Sequence, residues 1–369
     1  MTTIERRPNV VGVLFALAAL VAGLVVWLVA RSSGDSDGAP SATVAATSTT
    51  TRAATSTASP SISFTPTATI DLVLPSASGV VLFAHTADPN AVVRVEVDRG
   101  RVVATPVGSV LSTAPAFLAV GPSAAVVRPY DHVPGYVVAD SGSVTDPSGL
   151  LDEGAFMACS DGRTDRIWLA RESLLQVDYG GSLKAQVSGS GPRPWAIGCD
   201  GAGEMLYRRG TDTLVTGDGP PKLVTSATLV AAGPRTFLVN DCSAATACSL
   251  TVIDRPTGER RPLTVGFAVA TPQSFPLLTD GRLGSISPDG RTAVLFRQPR
   301  EVIFVDLESG TGRGISSIAG EFQSFVWSTD SRYLFYIGGG YKLYVFDRDT
   351  GNLKTLGVNN VFALAGRPS

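Results

Sequence analysis

Histidine is nearly absent: His85 and His132 are the only two in 369 residues. A Ser-His-Asp centre needs a histidine set against a nucleophile, and most zinc enzymes need several as ligands. Two histidines leave little for either. No G-x-S-x-G elbow, P-loop or Cys-x-x-Cys pair occurs. Ser188-Gly-Ser-Gly191 reads as a glycine-rich connector. The recurrent Asp turns lack the density of oxygen ligands that a calcium loop requires. No metal and no cofactor is expected. Lysine is scarce, at 4 against 26 arginines, and the net charge is −2, which leaves no electrostatic footprint for nucleic acid. The arginine excess, with the Ala, Val and Gly bias, points to a GC-rich bacterial genome. A paired-carboxylate centre stays open, because 32 acidic residues are available.

Charge is also missing from residues 10–30, VVGVLFALAALVAGLVVWLVA. At about 1.5 Å per residue this run spans a bilayer core of about 30 Å. Arg6 and Arg7 flank it on one side, and Asp35 and Asp37 follow on the other. That asymmetry predicts a single-pass anchor with its N-terminus inside. A cleaved signal peptide is the rival, but its apolar core is usually about 7–15 residues. Cleavage after Ala30 would also place bulky Leu28 at the −3 position, and no lipobox cysteine precedes Cys159. The expected order is a cytoplasmic segment 1–9, a transmembrane helix 10–30, a linker 31–69 and an extracytoplasmic domain 70–369. The linker is almost wholly Ser, Thr, Ala and Pro, too poor in apolar surface to offset its ordering entropy. It is predicted to be a disordered stalk.

From residue 70 onward, short Val, Leu, Ile, Phe and Tyr runs alternate with Gly, Asp, Pro and Ser, which predicts an all-β domain. Residues 285–315 and 326–356 share one grammar of four strands and two Asp turns. One turn recurs as Asp98…Gly100, Asp140…Gly142, Asp178…Gly180, Asp218-Gly219, Asp254…Gly258, Asp306…Gly310 and Asp347…Gly351. Its glycines step by 42, 38, 39, 39, 52 and 41 residues. A second marker, between first and second strands, reads Asp161-Gly162, Asp200-Gly201, Asp289-Gly290 and Asp330-Ser331. Fixed-period units of four antiparallel strands predict a β-propeller of seven four-stranded blades. Six blades with an insertion, or an eighth partial blade, are the alternatives. The terminal strand at Val361–Ala365 is expected to close the ring on the first blade.

Ser287-Pro-Asp-Gly290 and Asp347-Arg-Asp-Thr-Gly351 resemble the WD40-like propellers of exported bacterial proteins, as in the C-terminal half of the TolB family. The resemblance covers roughly residues 70–366 and implies the fold far more than an activity. Blades one and two depart from it, since they lack the Pro-Asp-Gly turn.

Four cysteines in an exported domain suggest disulfides, with three possible pairings. Cys159 and Cys199 occupy equivalent places at the ends of consecutive inner strands. Cys242 and Cys248 bracket a hairpin. The favoured pairing is therefore 159–199 with 242–248. Loops between second and third strands share a face with the blade-to-blade connections. His85, Tyr130, His132, Arg297, Arg300 and Tyr341 fall there and are the candidate binding residues. The long connection Glu259–Gly281 is a candidate contact element. The expected function is a membrane-tethered binding or scaffold module for a protein, peptide or cell-envelope ligand. The alternative is a propeller hydrolase or lyase that uses carboxylates in its central channel. Convergence of charged side chains on the axis would favour the latter.

Overall fold

The computed structural model describes residues 67–69, 74, 79–87, 90–107, 116–129, 135–152, 155–187, 193–217, 219–244, 247–265, 283–297, 301–315 and 324–369. The chain divides into residues 1–61 and 62–369, and every described residue belongs to the second part.

The strands run in chain order as antiparallel meanders. β1 (Thr67–Thr69), β2 (Val80–Ala87), β3 (Asn90–Glu96) and β4 (Arg101–Pro106) build the first sheet. β5 (Ala116–Val120), β6 (Ala124–Pro129), β7 (Tyr136–Ala139) and β8 (Val144–Thr145) build the second. β9 (Met157–Cys159), β10 (Arg166–Ala170), β11 (Leu174–Asp178) and β12 (Leu183–Val187) build the third. β13 (Trp195–Cys199), β14 (Met205–Arg209), β15 (Asp212–Val215) and β16 (Lys222–Thr225) build the fourth. The fifth holds β17 (Thr228–Ala232), β18 (Thr236–Ala244), β19 (Ala247–Asp254), β20 (Arg260–Leu263), β21 (Gly284–Ile286), β22 (Thr292–Arg297), β23 (Glu301–Asp306) and β24 (Gly312–Ile315). β25 (Phe325–Trp327), β26 (Tyr333–Gly338), β27 (Lys342–Asp347) and β28 (Leu353–Thr355) build the sixth.

The last strand, β29 (Val361–Pro368), pairs antiparallel with β2 and becomes the innermost strand of the first sheet. It also neighbours β5 and β25, so the C-terminus closes the ring between the second and sixth sheets. This is a β-propeller.

The expectation of seven separate four-stranded blades is corrected. Hydrogen bonding among the described residues gives six sheets: four of four strands, one of five and one of eight. Only five are blade-sized. The eight-stranded sheet arises because β17 and β21 pair in parallel, Ala231 with Gly284 and Ala232 with Ser285. Gly284 permits this approach, since a Cβ there would lie 3.0 Å from the Cβ of Ala231 and from the carbonyl of Val230. The transmembrane helix expected ahead of the propeller is not seen either. Residues 10–30 lie outside the described residues, among which no helix is long and apolar enough to cross a membrane. At the domain edge, Thr67–Thr69 pair with Arg101–Val103, so residues assigned by composition to the linker add a strand to the first sheet.

Burial follows position in the sheet. β26 is buried along its whole length, β27 is mixed, and β28 is largely exposed. The second strands are covered on both faces by neighbouring sheets, which is why they read as continuous apolar runs. The core is accordingly divided into clusters between neighbours. One joins Phe335, Tyr333 and Ile337 of β26 to Leu82 and Val93 of the first sheet. Another joins Trp168 of the third sheet to Met205 and Tyr207 of the fourth.

The two Asp turns do what their residue types suggest. Asp254, Asp306 and Asp347 each accept a main-chain N–H three residues on, from Thr257, Ser309 and Thr350. The Thr257 and Ser309 hydroxyls add a bond to the same carboxylates. Gly258, Gly310 and Gly351 close these turns by donating their N–H to the Asp carbonyl. A carboxylate satisfied locally in this way makes a turn that rewrites itself at each repeat.

Candidate functional site: the axial cavity

The inner strands surround a cavity of about 740 Å³ on the face that carries the first-to-second-strand turns. Its wall draws on the first sheet (Val80, Leu364, Ala365), the second (Leu118), the third (Ala158, Cys159) and the fourth (Cys199). The fifth contributes Ser285 and Ile286, and the sixth contributes Phe325, Val326 and Trp327. The rim is charged, with Asp161, Asp289, Asp330, Arg163, Arg235 and Arg367 all lining it. The channel is therefore not a tube of small apolar residues.

The rim carboxylates are engaged. Asp161 accepts the N–H of Arg163 and of Thr164, both at 2.9 Å, and the Thr164 hydroxyl at 3.1 Å. Asp330 accepts the Ser328 hydroxyl and the N–H of Arg332. Asp289 accepts the Ser287 hydroxyl at 2.6 Å and pairs with Arg348 at 2.8 Å. Burial works to raise the carboxyl of Asp289. The Ser287 hydroxyl, Arg348 and the N–H of Arg291 outweigh it and hold the group below the usual aspartate range.

The rim arginines divide. Arg367 binds the carboxylate of Asp140 and donates to the carbonyl of Gly121 at 2.8 Å, tying the closing strand to the second sheet. Arg163 and Arg235 are exposed and have no ion-pair partner among the described residues. In the sixth sheet Arg332, which also follows an Asp turn, is held by Asp347, through Nη2 at 2.8 Å and Nε at 3.2 Å. In the third sheet the turn is two residues longer, the strand partner of Asp178 is Arg166, and Asp178 binds Lys184 at 2.7 Å.

Ties between sheets support the rim. Cys159 and Cys199 form a disulfide that joins the inner strands of the third and fourth sheets. It lies in the cavity wall, with Cys159 buried and Cys199 exposed. Beneath the rim, Arg255 reaches from the fifth sheet to Asp200 at 2.5 Å and Glu204 at 3.1 Å in the fourth. It also donates to the carbonyl of Gly233 and sits 4.8 Å from the Phe237 ring centroid. Asp200 is fully buried. Burial pushes its carboxyl above the usual range, against the pull of Arg255 and the N–H groups of Ala202 and Glu204. Glu204 is raised as well, by burial and by the neighbouring Asp200. This pair does not line the cavity.

The residues singled out by sequence are scattered. His85 lies inside β2, 2% exposed, rather than in the following loop. Its Nε2 is 2.9 Å from Oδ1 of Asn90, and burial lowers its pKa, which favours neutral imidazole. Tyr341 is 42% exposed and stacks on Phe362 at 4.7 Å. His85 is paired with Ala363, so these two residues flank the same end of β29. Tyr130, His132 and Arg300 lie outside the described residues, as does the side chain of Arg297 at the end of β22. The same holds for 266–281 of the long connection and for the side chains of Cys242 and Cys248, whose backbones occupy the paired β18 and β19. The cavity residues were missed because their Asp turns were read as structure alone. A signal was present: arginine follows the turn in Asp161-Gly-Arg163, Asp289-Gly-Arg291 and Asp330-Ser-Arg332.

No family model matches the chain, and no curated protein matches it. Solved structures do. A putative 6-phosphogluconolactonase from Bacteroides uniformis is 11% identical, with 78% of this chain and 99% of that one covered and a TM-score of 0.49. Virginiamycin B lyase from Staphylococcus aureus is 12% identical, with 67% and 85% covered and a TM-score of 0.45. Dihydro-heme d1 dehydrogenase NirN is 13% identical, with 81% and 79% covered and a TM-score of 0.46. The propeller assignment rests on strand order and ring closure; these likenesses carry nothing about activity.

Proposed function

We propose that this chain is an extracytoplasmic binding propeller whose recognition site is the axial cavity. One observation carries the reading. A cavity of about 740 Å³ combines an apolar wall with a charged rim on which Arg163 and Arg235 have no ion-pair partner among the described residues. Sites of roughly 300–1,000 Å³ suit an organic ligand or a short segment of a larger one. The ligand class is a protein, a peptide or a cell-envelope component. The Cys159–Cys199 bond supports a location outside the cytoplasm, because such bonds persist in oxidising compartments. A WD40-like kinship of the TolB type belongs to the same reading and rests on the Ser287–Gly290 and Asp347–Gly351 turns.

A second reading has one observation in its favour. Asp161, Asp289 and Asp330 all line the cavity, as a carboxylate hydrolase or lyase would require. Against it, each already accepts two or more hydrogen bonds, and Asp289 is held ionised. The raised carboxylates, Asp200 and Glu204, are bound by Arg255 instead.

Calorimetric titration of the full chain with fractionated envelope peptides and glycans separates the two, run beside a turnover assay on glycans and lactones. Saturable binding without turnover, lost in R163E/R235E, is the expected result. Turnover that disappears in D289N would sink the binding reading.

A further inference from the structure

Two kinds of rim charge remain without an ion-pair partner among the described residues. Arg163 and Arg235 are the cations; Asp161 and Asp330 are the anions. Both carboxylates are fixed in place through one oxygen, Oδ1, by turn hydrogen bonds. The donors that hold them there are neutral main-chain N–H and hydroxyl groups, not cations. The other rim ions, Asp289 and Arg367, are already matched by Arg348 and Asp140. Beyond ion-pair distance of any partner among the described residues, the rim thus carries two charges of each sign over one cavity, with Arg235 also acting at a distance on Asp254, above a wall that includes Phe325, Trp327 and Leu364.

We infer that the cavity takes a zwitterionic, peptide-like ligand with an apolar body; this rests on the binding reading above. The ligand's carboxylate meets Arg163 and Arg235, whose planar forks match an oxyanion better than an ammonium would. Its ammonium meets Asp330, with Asp161 contributing at the third sheet. Its apolar side chain lies against Trp327 and Leu364. A purely anionic ligand would face Asp161 and Asp330 unpaired, and a purely cationic one would face both arginines. Like-charge contacts of that kind select against wrong ligands.

The test is titration of the full chain with the tripeptide Ala-Phe-Ala in four forms: free, N-acetylated, C-amidated and blocked at both ends. The free form is expected to bind at least about tenfold more tightly than the doubly blocked one, since charge-assisted bonds exceed neutral ones. In R163A/R235A the free form should bind no better than the C-amidated form binds the unaltered protein. In D330N, which keeps the turn acceptor, the free form should lose its advantage over the acetylated one. Equal binding of all four forms overturns the zwitterion assignment and leaves the binding site standing. Absence of saturable binding by every form overturns the assignment, while the envelope-fraction titration separately decides the site. The peptide series on the unaltered protein needs no variant to fold.

Discussion

The fourth sheet is held on its two sides by different means. Towards the third sheet the tie is covalent, Cys159–Cys199. Towards the fifth it is ionic, with one guanidinium, Arg255, shared by Asp200 and Glu204. The apolar packing is alike on both sides: Trp168, Met205 and Tyr207 on one, Leu206, Phe237 and Ile253 on the other. The contrast teaches how one architecture is fastened by two kinds of physics. A disulfide acts largely by restricting the unfolded chain and does not titrate at neutral pH. A buried ion pair acts through charge in a poorly solvated place, so its worth depends on protonation.

Breaking the ionic seam should have the largest effect. Arg255→Met leaves the buried Asp200 carboxylate without its cation and should cost about 3–5 kcal/mol in urea unfolding at neutral pH. Adding D200N should return much of that loss. Breaking the covalent seam comes next. C159S/C199S opens a link between residues separated by 40 positions and should cost about 2–4 kcal/mol. Gly203→Ala tests the same seam without touching sulfur. Gly203 has φ +94°, and a Cβ there would lie 2.6 Å from the main-chain nitrogen of Asp161 in the third sheet. Strain of that kind costs about 1–3 kcal/mol, read as a lower urea midpoint.

The pH dependence sharpens the contrast. Asp200 and Glu204 are raised in the folded protein. Their contribution is therefore fully present below the unfolded pKa and is lost as pH rises through the folded one. Asp289 and Asp347 are lowered, so theirs is present above the unfolded pKa and is lost as pH falls through the folded one. R255M should extend the first loss to higher pH, because Asp200 loses its strongest opposing charge. C159S/C199S should keep the slope of the unaltered protein, and an R255M slope that matched it would sink the ionic account. The smallest effect belongs to the rim: R163A/R235A should shift stability by about 0.5 kcal/mol or less, since both side chains are exposed.

Legibility in the sequence followed locality. The Asp…Gly turns were readable because each satisfies its own carboxylate within four residues, as at Asp254–Gly258. The 159–199 pairing was readable because two equivalent strand ends must approach each other near the axis. The fused eight-stranded sheet was not, since it depends on β21 coming within hydrogen-bond reach of β17 after an intervening 52-residue step between turn glycines. His85 was assigned to a loop because polar His85 and Thr86 end the apolar run VVLFA that marks the strand, although β2 continues to Ala87. The cavity rim escaped for another reason. Arg163 and Arg332 follow the same kind of turn, yet only Arg332 is neutralised, because the third-sheet turn is two residues longer and sets Arg163 out of the register that brings Arg332 to Asp347.

The sequence by itself determined an all-β domain of repeated four-strand units, its two Asp turns, and the closing strand that returns to the first sheet. The units and turns follow from interactions between residues near in sequence or related by the repeat, and the closing strand from the need of a ring to shut on its first sheet. Only the tertiary structure decided which sheets merge, which carboxylates rise or fall in pKa, and which rim charges are left to face a ligand. Those outcomes depend on burial and on pairing across sheets, between residues such as Arg255 and Asp200 that lie 55 positions apart.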